Sequence, residues 1–191
     1  MSPTGRSVCL ESFVESALNH PKVGHTLLID SAYSLYADET HAWADTILES
    51  LENGLMWPEN LLVTVAVSLS KSHTIYGLRT GALVSMHPEK EVTDRLDTVL
   101  CVTARQTWSA TPRVSQYCVS EMHSSEEGGN AWGKERDRLK KLLDDRRNVL
   151  ISECEKLGVP LNPTMDGFFA WIEAEDPVAV AEKCAENGVF L

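Results

Sequence analysis

Leu61-Leu62-Val63-Thr64-Val65-Ala66-Val67 is a near-continuous apolar run, the mark of a strand covered on both faces. Upstream, Thr26-Leu27-Leu28-Ile29 reads as a short buried strand with Asp30 at its carboxyl end. Between the two, Thr40 to Leu55 reads as a helix. Trp43, Ile47, Leu48 and Leu51 lie on its apolar side, and Asn53-Gly54 is its stop. Strand, helix, strand in that order implies a parallel or mixed sheet with crossover helices. Gly81-Ala82-Leu83-Val84-Ser85 is a candidate third strand. Ligands of such sheets bind beyond the carboxyl ends of the strands, which is where Asp30 and Lys71 both stand.

The rest of the chain is mostly helical in pattern. Leu10, Phe13, Val14, Ala17 and Leu18 make one apolar stripe after the turn Pro3-Thr4-Gly5, and His20-Pro21 ends that helix. Glu89–Arg105 is one helix and Pro112 to about Met122 another. The polar, turn-rich Ser124–Asn130 reads as a loop. A long helix then runs to Leu157, with Leu139, Leu142, Leu143, Leu150, Cys154 and Leu157 at helical spacing and Gly158 closing it. Gly167–Ile172 reads as a strand, Pro177–Glu186 as a helix and Val189-Phe190-Leu191 as the start of another strand.

Composition narrows the function classes. The chain of 191 residues fits one domain, or one with a small appendage, and its 43% hydrophobic content can build a core. A net charge of −11 argues against a general nucleic-acid or membrane surface, because phosphates would be repelled. Arg136, Arg138, Lys140, Lys141, Arg146 and Arg147 are interleaved with Glu135, Asp137, Asp144 and Asp145, so they read as a solvated helix face. Cys9, Cys101, Cys118, Cys154 and Cys184 are scattered and free of CxxC spacing, which reads as reduced core thiols. No HExxH pattern supports a metal. With no secretory h-region and no apolar run of membrane-spanning length, the expectation is a cytoplasmic protein.

The chemistry is concentrated in Ser68-Leu69-Ser70-Lys71-Ser72-His73-Thr74-Ile75-Tyr76-Gly77-Leu78-Arg79-Thr80-Gly81, directly after the apolar run. A lysine there is placed as a Schiff-base lysine would be in a pyridoxal-phosphate enzyme, with nearby hydroxyls and a guanidinium for the phosphate. Upstream, Asp30-Ser31-Ala32-Tyr33 adds a carboxylate suited to a pyridine nitrogen and a phenol suited to the ring hydroxyl. Together with Ala104-Arg105-x-x-Trp108-Ser109, and with an opening Ser2-Pro3-Thr4-Gly5 similar to an Asn-Pro-Thr-Gly turn, these motifs resemble the class I/II aminotransferases in order and spacing. The bacterial aromatic and aspartate-type enzymes are the nearest flavour.

That resemblance implies an α/β fold: a partial mixed or parallel sheet with flanking helices, as in the carboxyl half of the type I pyridoxal-phosphate large domain. Residues 1–125 would be part of that domain. Residues 126–191 would be a connecting helix and a truncated, small α+β C-terminal domain. It implies that Lys71 carries the cofactor and shuttles the substrate proton, that Asp30 pairs with the pyridine nitrogen and that Tyr33 contacts the ring hydroxyl. Ser68, Ser70 and Arg79 would bind the phosphate. Arg105 would receive a substrate's distal carboxylate in a neighbouring subunit, and Ser109 would lie near that subunit's phosphate. Other roles stay open. Asp30 could cap or ion-pair, Arg79 could be a surface fork, Arg105 could complement its helix dipole, and Phe169 could line the substrate pocket or simply pack.

The implied activity is transamination between an amino acid and a 2-oxo acid, by a homodimer in the complete enzyme. Two departures qualify it. Roughly the first half of the family's polypeptide, with the ring-stacking aromatic and the phosphate loop, precedes the motifs present here, and Ser2 replaces the family's Asn. The arginine that grips the substrate's α-carboxylate would fall beyond Leu191. The expectation is a partial chain, inactive alone. A lyase on the same fold and a non-catalytic remnant are the alternatives.

Overall fold

A computed structural model describes residues 11–37, 44, 47, 48, 52, 57–162 and 169–190. The turn Pro3-Thr4-Gly5 lies outside them, as do most of the Thr40–Leu55 helix and Gly167-Phe168. The chain packs as two compact units, one within Val8–Asp137 and the other within Arg138–Leu191.

The first unit holds a mixed three-stranded sheet in the order β1 (His25–Asp30), β2 (Leu61–Ser68), β3 (Gly81–Met86). β1 and β2 run parallel with Asp30 opposite Ala66, while β2 and β3 run antiparallel with Ser68 opposite Gly81. The central strand is the one the apolar run predicts: Leu61, Val63, Thr64 and Val65 are all buried. Thr64 is tolerated there because its hydroxyl donates to the Leu27 carbonyl at 3.4 Å. Leu61 and Val63 share a core with Ala17, Leu27 and Ile47, and Ile29, Trp57 and Met86 pack against it.

A helix over Glu11–Asn19 precedes β1. One side chain ties its end to the sheet: Asn60 Nδ2 donates to the carbonyls of Ala17, His20 and Val23 at 3.1, 3.1 and 2.8 Å. The helix end and the turn after it are thereby held against the residue just ahead of β2. Gly81 is required where β3 meets β2. A Cβ there would lie 2.4 Å from the Val67 carbonyl oxygen.

Helices over Lys90–Thr107 and Arg113–His123 follow β3, and Glu126–Leu157 is a single long helix. The loop expected over Ser124–Asn130 is therefore mostly helix. Ser125 Oγ accepts from the Gly128 N–H at 3.1 Å, and Glu126 and Glu127 occupy the first turn, where carboxylates complement the dipole. The glycine that suggested a turn serves a close approach instead, since a Cβ on Gly128 would sit 2.3 Å from the Met122 carbonyl oxygen.

In the second unit, Leu161–Asn162 (β4) and Trp171–Ile172 (β5) form an antiparallel pair, and a helix spans Pro177–Glu186 with Asp176 capping the Ala179 N–H at 3.0 Å. Gly158 closes the long helix as expected. Its φ is +65°, and the Val159 N–H returns to the Cys154 carbonyl at 2.9 Å. The same closure overturns the strand expected at Val189: Gly188 is left-handed and the Val189 N–H is taken by the Cys184 carbonyl.

Some apolar stripes bury less than their spacing suggests. Leu18, Leu48, Leu142, Leu150 and Leu157 are exposed, whereas Cys154 is buried. Nor are the thiols uniformly in the core, since Cys101 and Cys118 are exposed. The charged helix face is paired rather than simply solvated. Asp144 bridges Lys140 at 3.2 Å and Arg147 at 2.6 Å, and the Arg147 side chain is only 13% exposed. Among the described residues, no helix is long and apolar enough to cross a membrane.

Candidate active site

The carboxyl ends of β1 and β2 lie side by side, and their parallel register sets the site. Asp30 closes β1, and its Oδ1 accepts from the Ala32 N–H at 3.0 Å, which turns the chain into the short 3₁₀ segment Ser34–Tyr36. Ser31 fastens that turn to β2 through its amide and hydroxyl, both donating to the Ala66 carbonyl at 3.0 and 2.9 Å.

β2 passes directly into a one-turn helix, Leu69–Ser72. Ser68 caps it, its Oγ accepting from the Ser70 N–H at 3.3 Å. That bond occupies an acceptor and leaves the Ser68 proton available to donate. The Ser70 side chain is buried. Lys71 projects with Nζ 5.5 Å from the Tyr33 ring centroid and 5.4 Å from that of Tyr76. Among the described residues its ammonium makes no hydrogen bond or ion pair. Aromatic rings hold a cation only weakly at such distances.

Arg79 ends the second 3₁₀ segment, Tyr76–Leu78, with φ of +50°. Its guanidinium lies 4.8 Å from the Tyr76 centroid and donates to the Tyr76 carbonyl at 2.9 Å, and no carboxylate is paired with it among the described residues. The next residue anchors the loop: buried Thr80 hydrogen-bonds buried Ser115 on the Arg113–His123 helix. Asp30, Tyr33, Ser68, Ser70, Lys71 and Arg79 thus come from two strand ends and the turns that leave them.

Arg105 and Ser109 stand elsewhere. Arg105 is exposed in the last turn of the Lys90–Thr107 helix, and Ser109 lies just beyond with φ of +71°, its N–H on the Ala104 carbonyl at 2.8 Å. Neither makes a hydrogen bond or ring contact with the Lys71 group. Phe169 belongs to the second unit and is 40% exposed.

Two residues of the first unit hold places that the sequence reading assigns to no residue. Tyr76 supplies the ring shared by Lys71 and Arg79. Tyr36 is buried and donates its hydroxyl to the Lys71 carbonyl at 2.9 Å. Burial raises its pKa, with Arg136 pulling in the opposite direction, so the phenol stays protonated and able to donate. A signal existed: Tyr33/Tyr36 and Tyr76/Arg79 are both three residues apart, and i and i+3 eclipse in a 3₁₀ turn.

The fold agrees with a family match over the whole chain. The family model for aminotransferase class I and II covers residues 1–191, and the chain belongs to that family. It is 28% identical over 158 residues to the aromatic-amino-acid aminotransferase of Paracoccus denitrificans, an alignment covering 82% of this chain and 38% of that enzyme. Among solved structures, an aminotransferase from Anaerococcus prevotii superposes with a TM-score of 0.84 at 27% identity, covering 98% of this chain and 46% of that one. The Burkholderia pseudomallei aromatic-amino-acid aminotransferase, covalently bound to pyridoxal phosphate, shares the fold with a TM-score of 0.64 at 23% identity, covering 83% and 38%. The chain therefore spans less than half the length of these relatives.

Proposed function

We propose that this chain contributes the lysine-bearing half of a pyridoxal-phosphate-dependent aminotransferase site, which moves an amino group from an amino acid to a 2-oxo acid. The observation that carries this reading is Lys71: an ammonium just past the carboxyl end of a buried central strand, within cation–π range of two phenol rings and without an ion pair among the described residues, with a carboxylate at the end of the neighbouring parallel strand. The donor set fits the cofactor. Asp30 would hold a proton on the pyridine nitrogen, Tyr33 would bond the ring hydroxyl, and Ser68, Ser70 and Arg79 would hold the phosphate. When bound, pyridoxal phosphate supplies an aldehyde that condenses with amines and a ring that withdraws electrons from the substrate Cα. Lys71 would carry the cofactor at Nζ and, as a free amine, move the proton on and off Cα.

Arg105 and Ser109 would serve a second copy of the chain, with Arg105 receiving a distal carboxylate, and Phe169 would line the substrate pocket. The exposed apolar side chains Val99, Val102, Trp108, Val114 and Tyr117 on and between the two helices that carry or follow Arg105 support a homodimer.

Borohydride reduction of the protein with pyridoxal phosphate, followed by peptide mapping, tests the assignment. The label is expected on the peptide holding Lys71 and is expected to vanish in Lys71→Ala. Label on Lys22, Lys90 or Lys134 in its place sinks the reading.

A further inference from the structure

The turn that carries Lys71 is tied to the Arg113–His123 helix by side chains that none of the roles above uses. Ser72 Oγ donates to the Ser68 carbonyl at 3.0 Å and lies 2.8 Å from His73 Nδ1. His73 Nε2 lies 3.0 Å from His123 Nε2. Trp132, on the long helix, stacks on the His73 ring with centroids 4.9 Å and planes 17° apart, and meets His123 nearly edge-on, also at 4.9 Å. Arg136 stands 5.3 Å from the Trp132 centroid.

One arrangement of protons satisfies this chain. Serine has a single O–H proton, and Ser72 gives it to the Ser68 carbonyl. Ser72 Oγ can then only accept from His73, which fixes the His73 hydrogen on Nδ1. The bare Nε2 of His73 accepts from His123, whose hydrogen is on Nε2. A proton added to His123 at Nδ1 leaves that bond in place. A proton on His73 Nε2 reverses the bond, with His123 carrying its hydrogen on Nδ1 and accepting at Nε2; only when both rings are protonated do two N–H groups face each other and the bond is lost.

The surroundings oppose that last proton. Burial first, and the charge of His123 second, hold the His73 pKa below the ordinary imidazole range. The packed elements carry both signs: Glu121 on the Arg113–His123 helix, Glu126, Glu127, Glu135 and Asp137 on the long helix, and the cations Lys71 and Arg136, the latter paired with Asp137 at 2.6 Å. Neutral His73 is thus the form the fold favours, while in an unfolded chain it would titrate near 6.5. The contribution is complete above that value and is lost as pH falls through the lower folded value.

We propose that His73 and His123 are positioning residues for Lys71: their hydrogen-bonded pair locks the Leu69–Ser72 turn to the neighbouring helix, and protonation of both rings releases the turn. Its meaning for catalysis rests on Lys71 being the cofactor-bearing residue, while the lock itself does not.

Amide hydrogen exchange over residues 69–74, corrected for intrinsic rates, reads the lock without any cofactor. In the wild-type chain, protection is expected to fall by about tenfold or more between about pH 8 and about pH 5. In His123→Ala it should be low throughout. In His123→Gln it should be high throughout, because a side-chain amide can flip and offer either a donor or an acceptor to His73. A flat wild-type profile, or an unchanged pH dependence in His123→Gln, overturns the proposal. Borohydride mapping of the same proteins with pyridoxal phosphate is the separate arm. Label missing from Lys71 removes the reading of Lys71 and leaves the exchange result standing; label on Lys71 with a flat exchange profile removes the lock alone.

Discussion

Tyr36 shows how a residue outside the reacting set can still govern it. Its hydroxyl reaches the Lys71 backbone carbonyl from a turn 35 positions earlier in the chain, so it fixes the lysine from behind. Tyr36→Phe keeps the buried ring and removes only the donor. We expect a loss of about 0.5–1.5 kcal/mol in denaturant unfolding, the usual net value of a neutral hydrogen bond. No measurable change would mean that the carbonyl finds another donor. The candidate reacting residues were legible in the sequence because their chemistry is unusual at those spacings: a lysine after a buried strand, and Asp-x-Ala-Tyr after another. Tyr36, His73 and His123 were not, because what distinguishes them is contact across 35 and 50 positions. No local pattern encodes that.

Elements were legible where one period dominates. β1, β2, β3 and the Pro177–Glu186 helix fall where alternation, apolar runs and a proline at a helix start place them. Of the misread stretches, Ser124–Asn130 fails for a physical reason: glycine signals permissiveness, and permissiveness is used there for contact rather than for turning. The two helical glycines nearby separate those uses. Gly128→Ala should destabilise the protein by more than about 1 kcal/mol, because the new methyl meets backbone at 2.3 Å. Gly133→Ala meets nothing within 4 Å and should stabilise it by up to about 1 kcal/mol, the difference in helix propensity. Thermal melts of the two variants shifting in the same direction would refute this account of Gly128.

At the scale of the whole molecule, the apolar surface of the Lys90–Thr107 and Arg113–His123 helices is more than solvent alone would favour. Sedimentation of the purified chain is expected to show a dimer, and substituting Trp108 and Tyr117 by Glu is expected to return it to a monomer. A monomer at all concentrations would leave Arg105 and Ser109 without a second site to serve.

Thr74, Arg79 and Ser109 all hold left-handed φ angles of 54°, 50° and 71° without being glycine. Each such residue costs about 1–2 kcal/mol, against a typical whole-protein stability of about 5–15 kcal/mol. Two of them, Thr74 and Arg79, lie within the stretch from Lys71 to Arg79. Thr74 is β-branched and exposed, which makes it the least comfortable of the three. Thr74→Gly is expected to raise the melting temperature by about 2–4 °C, and an unchanged or lower value would show that the loop is not the weak point. Heat tolerance could then be gained beside the candidate site without touching any residue assigned a chemical role.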